Sequence, residues 1–234
     1  MRIANTVGAP IEKLFAALPE GAGEMIRAAT NKSLHAALRI ATSSMDEGPR
    51  PAVDRFHAIA VGATGAVGGA FGLGTLAAEL PVSTAIMLRS IADIARSEGH
   101  PIKSRHIQLA CLEVFALGAP GGGDDAAEAG YFAVRAALAR AISEAAEHIA
   151  SRGLAHEGAP ALVRLIAKIG TRFGVPVTQK VLAQSVPIIG AAGGAMVNIL
   201  FINHFQDVAR GHFTVLRLEG TYGSEAVKAE YAAL

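Results

Sequence analysis

"VGATGAVGGAFGLG", residues 61–74, holds six glycines in fourteen positions, with neither a charge nor a proline among them. Three objects share that composition: a phosphate-cradling loop, a membrane-inserting glycine zipper, and a helix packed tightly against another inside a protein core. The stretch lies within 23 residues, between Arg55 and Glu79, that contain no Asp, Glu, Lys or Arg. A second such run, of 26 residues between Lys180 and Asp207, has His204 as its one group titrating near neutrality. Its segment "VPIIGAAGGAMVNILFIN" (186–203) sets Gly190 and Gly194 four apart, as Gly62, Ala66 and Ala70 are in the first. This small-xxx-small spacing lets helix backbones approach closely. Either run is long enough to span a bilayer. Glycine and alanine contribute little transfer free energy, however, and the chain has no Trp to mark an interface. The two runs therefore read as nearly uncharged helices packed together at the centre of a helical domain.

The nucleotide alternative is specific enough to state. "GATGAVG" (62–68) fits the glycine pattern of short-chain dehydrogenase-like folds, with "AIAV" (58–61) as the strand before it. Glycines there would bring a pyrophosphate onto a helix N-terminus. Such a fold needs further strand–helix units, and only helical patterns follow. The Tyr-x-x-x-Lys pair of that chemistry is also missing, since Tyr222 is followed four residues later by Ala226.

Composition supports an all-α chain. Of 234 residues 51% are hydrophobic but only 5% aromatic, and Ala and Gly abound, which favours close helices over sheets built on aromatic and β-branched pairs. That length buries a sizeable core without disulfides. The single Cys111 excludes an intrachain bridge, fits a reducing cytoplasm, and sits in the apolar run "LACLEVFAL" (109–117), where it reads as a small core hydrophobe. A net charge of +1 with 18% charged residues gives no field for nucleic acid. The N-terminus "MRIANTVGAPIEKLF" has no apolar run of signal-peptide length, so the expected location is cytoplasmic.

Helical periodicity runs along the chain. It covers 23–45, closed by "DEGPRP" (46–51); 81–99, opening with Pro81 and closing with Gly99; 102–118, with Ser104 as N-cap; 124–152; and 159–174. Arg89 and Asp93, four apart, can pair on one helix face, and Arg140–Glu144 at the same spacing predicts a surface pair. With the two glycine-rich segments this predicts about seven or eight helices in one domain over 23–234, after a segment 1–22.

Arg164, Lys168 and Arg172 recur every four residues beside Leu162, Leu165, Ile166 and Ile169, and Lys180 follows before the second uncharged run. They are the candidates for contact with an anionic membrane surface. Glu79, Arg89, Asp93, His204, Asp207 and His212 lie in or beside apolar segments, and a buried charge needs a partner. They are expected to form a polar network joining the glycine-rich elements. The alternative is a metal or acid–base site around Glu79, Asp93, His204 and Asp207. No HExxH or CxxC spacing is present, so no metal ligand, cofactor or catalytic residue is assigned.

Three blocks, "AELPVSTAIMLRSIADIARSEGH" (78–100), "PIIGAAGGAMVNILFINHFQDVARGHF" (187–213) and "LEGTYGSEAVKAEY" (218–231), occur in an order that resembles the EcsC family of bacterial proteins over roughly residues 30–234. The resemblance implies an α-helical cytoplasmic protein without assigned catalytic residues, whose founding member is encoded beside the subunits of an ABC transporter. The expected role is a non-enzymatic interaction protein, peripheral at the inner membrane leaflet, with a membrane surface or a membrane protein as partner. Oligomeric state is not indicated.

Overall fold

A computed structural model describes residues 21–43, 54–71, 76–119, 126–152, 159–184 and 190–233. Eight helices occupy them: α1 (Ala22–Ser43), α2 (Asp54–Phe71), α3 (Leu76–Ser97), α4 (Arg105–Leu117), α5 (Ala126–Arg152), α6 (Pro160–Gln184), α7 (Gly190–Tyr222) and α8 (Ser224–Tyr231). No strand occurs among the described residues. The all-α expectation and the two packed glycine-rich helices are what the structure has.

The "GATGAVG" stretch lies inside α2. Its N–H groups are turned along the helix toward carbonyls four residues back, so they form no cradle for a phosphate. The nucleotide-binding alternative is therefore corrected, and Gly62 serves packing. A Cβ on Gly62 would lie 3.1 Å from the Ile199 side chain and 3.8 Å from the Ala195 carbonyl oxygen of α7.

The direction of α7 follows from its bonds. Asn198 reaches Glu79 and Gln206 reaches Ser90, so α7 runs alongside α3 in the same sense. The α2–α3 connection is short, and His57 of α2 faces Asp93 near the far end of α3, so these two are antiparallel. Hence α2 and α7 are antiparallel.

Two helices exceed their sequence-based bounds. α3 begins at Leu76 and carries Pro81 in its second turn. α6 continues through Gly174 and Pro176 to Gln184. The apolar face explains the second case: Ile169, Phe173, Val177 and Val181 are all buried, so continuing the helix continues the core contact. Ser104 does stand at the N-cap of α4, in extended conformation, but only its carbonyl accepts, from the Gln108 N–H at 2.9 Å; its hydroxyl makes no capping bond.

Four of the twelve aromatic residues meet where α4, α6 and α7 join. Phe115, Phe173, Phe201 and Phe205 are fully buried, with neighbouring ring centroids 4.7–6.2 Å apart. Gly118, closing α4, is required there: a Cβ would stand 2.3 Å from Phe205 Cε1.

Candidate functional site

The polar residues divide between two buried nodes and a set of surface pairs. The first node joins α2, α3, α6 and α7. Lys180 Nζ donates to Glu79 Oε1 at 2.7 Å, with both side chains removed from solvent. Asn198 Nδ2 lies 2.9 Å from that same oxygen, 2.9 Å from the Val61 carbonyl oxygen and 3.2 Å from Thr64 Oγ1. Lys180 Nζ also stands 5.4 Å from the centre of the Phe201 ring. Burial pushes the Lys180 ammonium below its ordinary pKa, and Glu79 opposes that shift. Lys180 was expected to extend the basic stripe; it belongs to the interior. At 100° per residue it lies about 20° from Ile169 and about 20° from Phe173, on the buried face.

The second node joins α4, α5 and α7. The Glu113 carboxylate Oε2 lies 3.7 Å from His212 Nε2, and the Tyr131 hydroxyl lies 3.0 Å from His212 Nδ1. Arg135 donates twice to Glu219, at 2.8 Å on each oxygen, with its guanidinium carbon 5.4 Å from the centre of the Tyr131 ring. Burial raises Glu113 to about 7; Arg135 lowers it and Glu219 raises it. Burial holds His212 down to about 3, so the imidazole is neutral. Burial likewise raises the Tyr131 phenol. Burial works against the Arg135 charge, yet the Glu219 bond carries its pKa above the ordinary value. His212 Nε2 is buried and makes no hydrogen bond.

The other expected members lie apart. Arg89 is exposed on α3, and Asp93 bonds Arg96 at 2.7 Å in place of the expected Arg89 pair. His204 Nε2 meets the Gly118 carbonyl oxygen at 2.7 Å, and burial lowers its pKa. Asp207 is exposed and pairs with Arg210 at 3.3 Å. Glu79, Asp93, His204 and Asp207 thus each answer to a different partner. Among the described residues no group of three His, Cys, Asp or Glu could hold a metal ion.

The stripe on α6 bonds neighbouring helices while Arg164 and Lys168 stay exposed and Arg172 is partly buried. Arg164 reaches Glu144 of α5 at 2.8 Å, Lys168 donates to the Ala137 carbonyl at 3.0 Å, and Arg172 Nε donates to the Ala116 carbonyl at 3.0 Å. Glu144 also accepts from Arg140 at 2.9 Å, the pair expected from spacing, and its pKa is lowered by bonds from Arg140 and then Arg164.

Large apolar side chains remain in solvent on the glycine-rich pair. Phe56 and Ile59 of α2 are 67% and 71% exposed; Met196 and Leu200 of α7 are 63% and 42% exposed. On each helix this stripe stands about a third of a turn from the α2–α7 seam, in the same rotational sense. Because the helices are antiparallel, both stripes emerge on one side.

Sequence reading missed Glu113, Tyr131, Arg135, Glu219 and Asn198 as members of these nodes. Glu113 had a signal, as the one charge in the apolar run around Cys111. Tyr131, Arg135 and Glu219 had none, since more than eighty residues separate α5 from its partners on α7.

A model of the EcsC protein family matches residues 1–218. Neither the curated proteins nor the solved structures give a match.

Proposed function

The chain belongs to the EcsC protein family, and from that premise we propose that it is a non-enzymatic, membrane-proximal interaction protein whose contact surface is the outer face of the α2–α7 pair. The observation that carries this reading is the shared apolar side of Phe56, Ile59, Met196 and Leu200 on the two least charged helices. Grouped exposure of large apolar side chains favours an interface with a bilayer headgroup region or a partner. No described helix is long and apolar enough to cross a membrane, so the contact proposed is peripheral. The cations of α6 contribute less than their spacing promised, because Arg164, Lys168 and Arg172 are held by internal acceptors.

Vesicle flotation tests the proposal. The protein is expected to float with phosphatidylglycerol-containing vesicles, and a double variant Ile59→Asp with Leu200→Asp is expected to remain at the bottom while melting like the parent. Flotation unchanged in that variant, or no flotation of the parent, overturns the reading.

A further inference from the structure

The Glu113–His212–Tyr131 chain has a property that the proposed surface does not use: it leads from a buried carboxyl to the hydroxyl of a partly buried tyrosine through a neutral imidazole. Glu113 and His212 are buried; Tyr131 is partly open to solvent. Each nitrogen of His212 faces a different member, Nδ1 the hydroxyl and Nε2 the carboxylate. A neutral imidazole carries one proton on either nitrogen. We propose that these three side chains form a proton relay that reports external pH to the docking of α8, by switching His212 between its two neutral tautomers.

The step balances. With Glu113 ionised, His212 carries its proton on Nε2 toward the carboxylate and accepts the Tyr131 O–H at Nδ1. On protonation, the Nε2–H bond breaks as a proton passes to Glu113 Oε2, and the Tyr131 proton passes to Nδ1. The phenolate oxygen takes a proton from solvent in the same movement. The net result is one solvent proton bound, Glu113 neutral, and the Tyr131–His212 hydrogen bond reversed in direction. The 3.7 Å separation exceeds hydrogen-bond reach, so the transfer requires the Glu113 carboxyl to approach Nε2.

The surroundings suit this role. Burial places the Glu113 titration near neutrality while keeping the imidazolium unfavourable. From α5, Arg135 favours the ionised carboxylate; from α7, Glu219 disfavours it and fixes Arg135. His100, before α4, and His106, within it, act with Arg135 against charge on His212. From α6, Arg172 is bound to the Ala116 carbonyl. The outer end of the relay lies under α8, whose Tyr231 stacks on Tyr131 at 5.6 Å and meets Phe132 edge-on at 5.2 Å. Val227 is the buried residue of α8, so these rings are a large part of its anchorage.

Nitrogen-15 NMR of the His212 ring in the full chain tests this. From about pH 5 to about pH 9 the ring is expected to stay neutral while its proton moves from Nδ1 to Nε2 as Glu113 ionises. Amide-exchange protection of α8 is expected to change over the same interval. Glu113→Gln, neutral and of equal size, holds one tautomer and one level of α8 protection at every pH. A single tautomer throughout in the parent, or an imidazolium signal in that range, overturns the relay. A tautomer switch with unchanged α8 protection overturns its link to α8. Neither readout depends on membrane contact, so either proposal can fail alone.

Discussion

At the scale of single residues, burial decides what the titratable groups do. Glu113 is raised from 4.5 to about 7 in the folded chain. It therefore binds its proton more tightly folded than unfolded, and its contribution is complete below pH 4.5 and lost as pH rises through about 7. At about 1.4 kcal/mol per unit the loss is about 3 kcal/mol. His212 acts in the opposite sense: kept neutral, it supports the fold above its ordinary 6.5, and that support falls away as pH drops toward about 3. Denaturant unfolding of Glu113→Gln beside the parent should show an advantage for the variant that grows from weakly acidic to neutral pH and then levels. A parent with the same profile as the variant would contradict the assignment. Cys111 offers no such handle, since burial pushes its thiol up to about 12. Its core role was legible from the apolar run around it; the pairing of Glu113 with α7 was not, because no local pattern encodes a contact across that separation.

At the scale of helices, the buried Lys180–Glu79 pair and the close glycine contacts fix how elements dock. Lys180→Met leaves Glu79 enclosed without a cation and should cost about 3–5 kcal/mol in unfolding free energy. The double variant Lys180→Met with Glu79→Leu should recover much of it, because the enclosed charge is gone. A single variant as stable as the parent would mean that water reaches Glu79. Gly118→Ala should destabilise by about 1–3 kcal/mol by forcing Phe205 out of its place in the phenylalanine cluster, read as a lowered melting temperature. The helices themselves were largely legible from period and punctuation. Their ends were not where Pro81, Gly174 and Pro176 suggested a stop, since tertiary contact outweighed the local breaker. The position of Lys180 was legible too: counting in fours from Arg172 reaches it, but each such step drifts about 40° round the helix, and its angle to Ile169 and Phe173 puts it with the core.

For the whole molecule, the glycine-rich pair has two roles: it closes the core along its seam and leaves an apolar side outward. The seam could be expected from the small-residue spacing. The outward side required the antiparallel direction of α2 and α7, which comes from the Asn198 and Gln206 bonds and is invisible in either helix alone. The stripe on α6 is the lesser part of the proposed contact, since Arg164, Lys168 and Arg172 each bond a group of the same chain. Which face meets a membrane can be read with a single-site environment probe. The buried Cys111 thiol stays unreactive, so Ile59→Cys, Leu200→Cys and Lys168→Cys can each be labelled with a polarity-sensitive fluorophore. On adding phosphatidylglycerol-containing vesicles, the emission should shift to the blue at positions 59 and 200 and stay unchanged at 168. A shift at 168 with none at 59 and 200 would contradict the account.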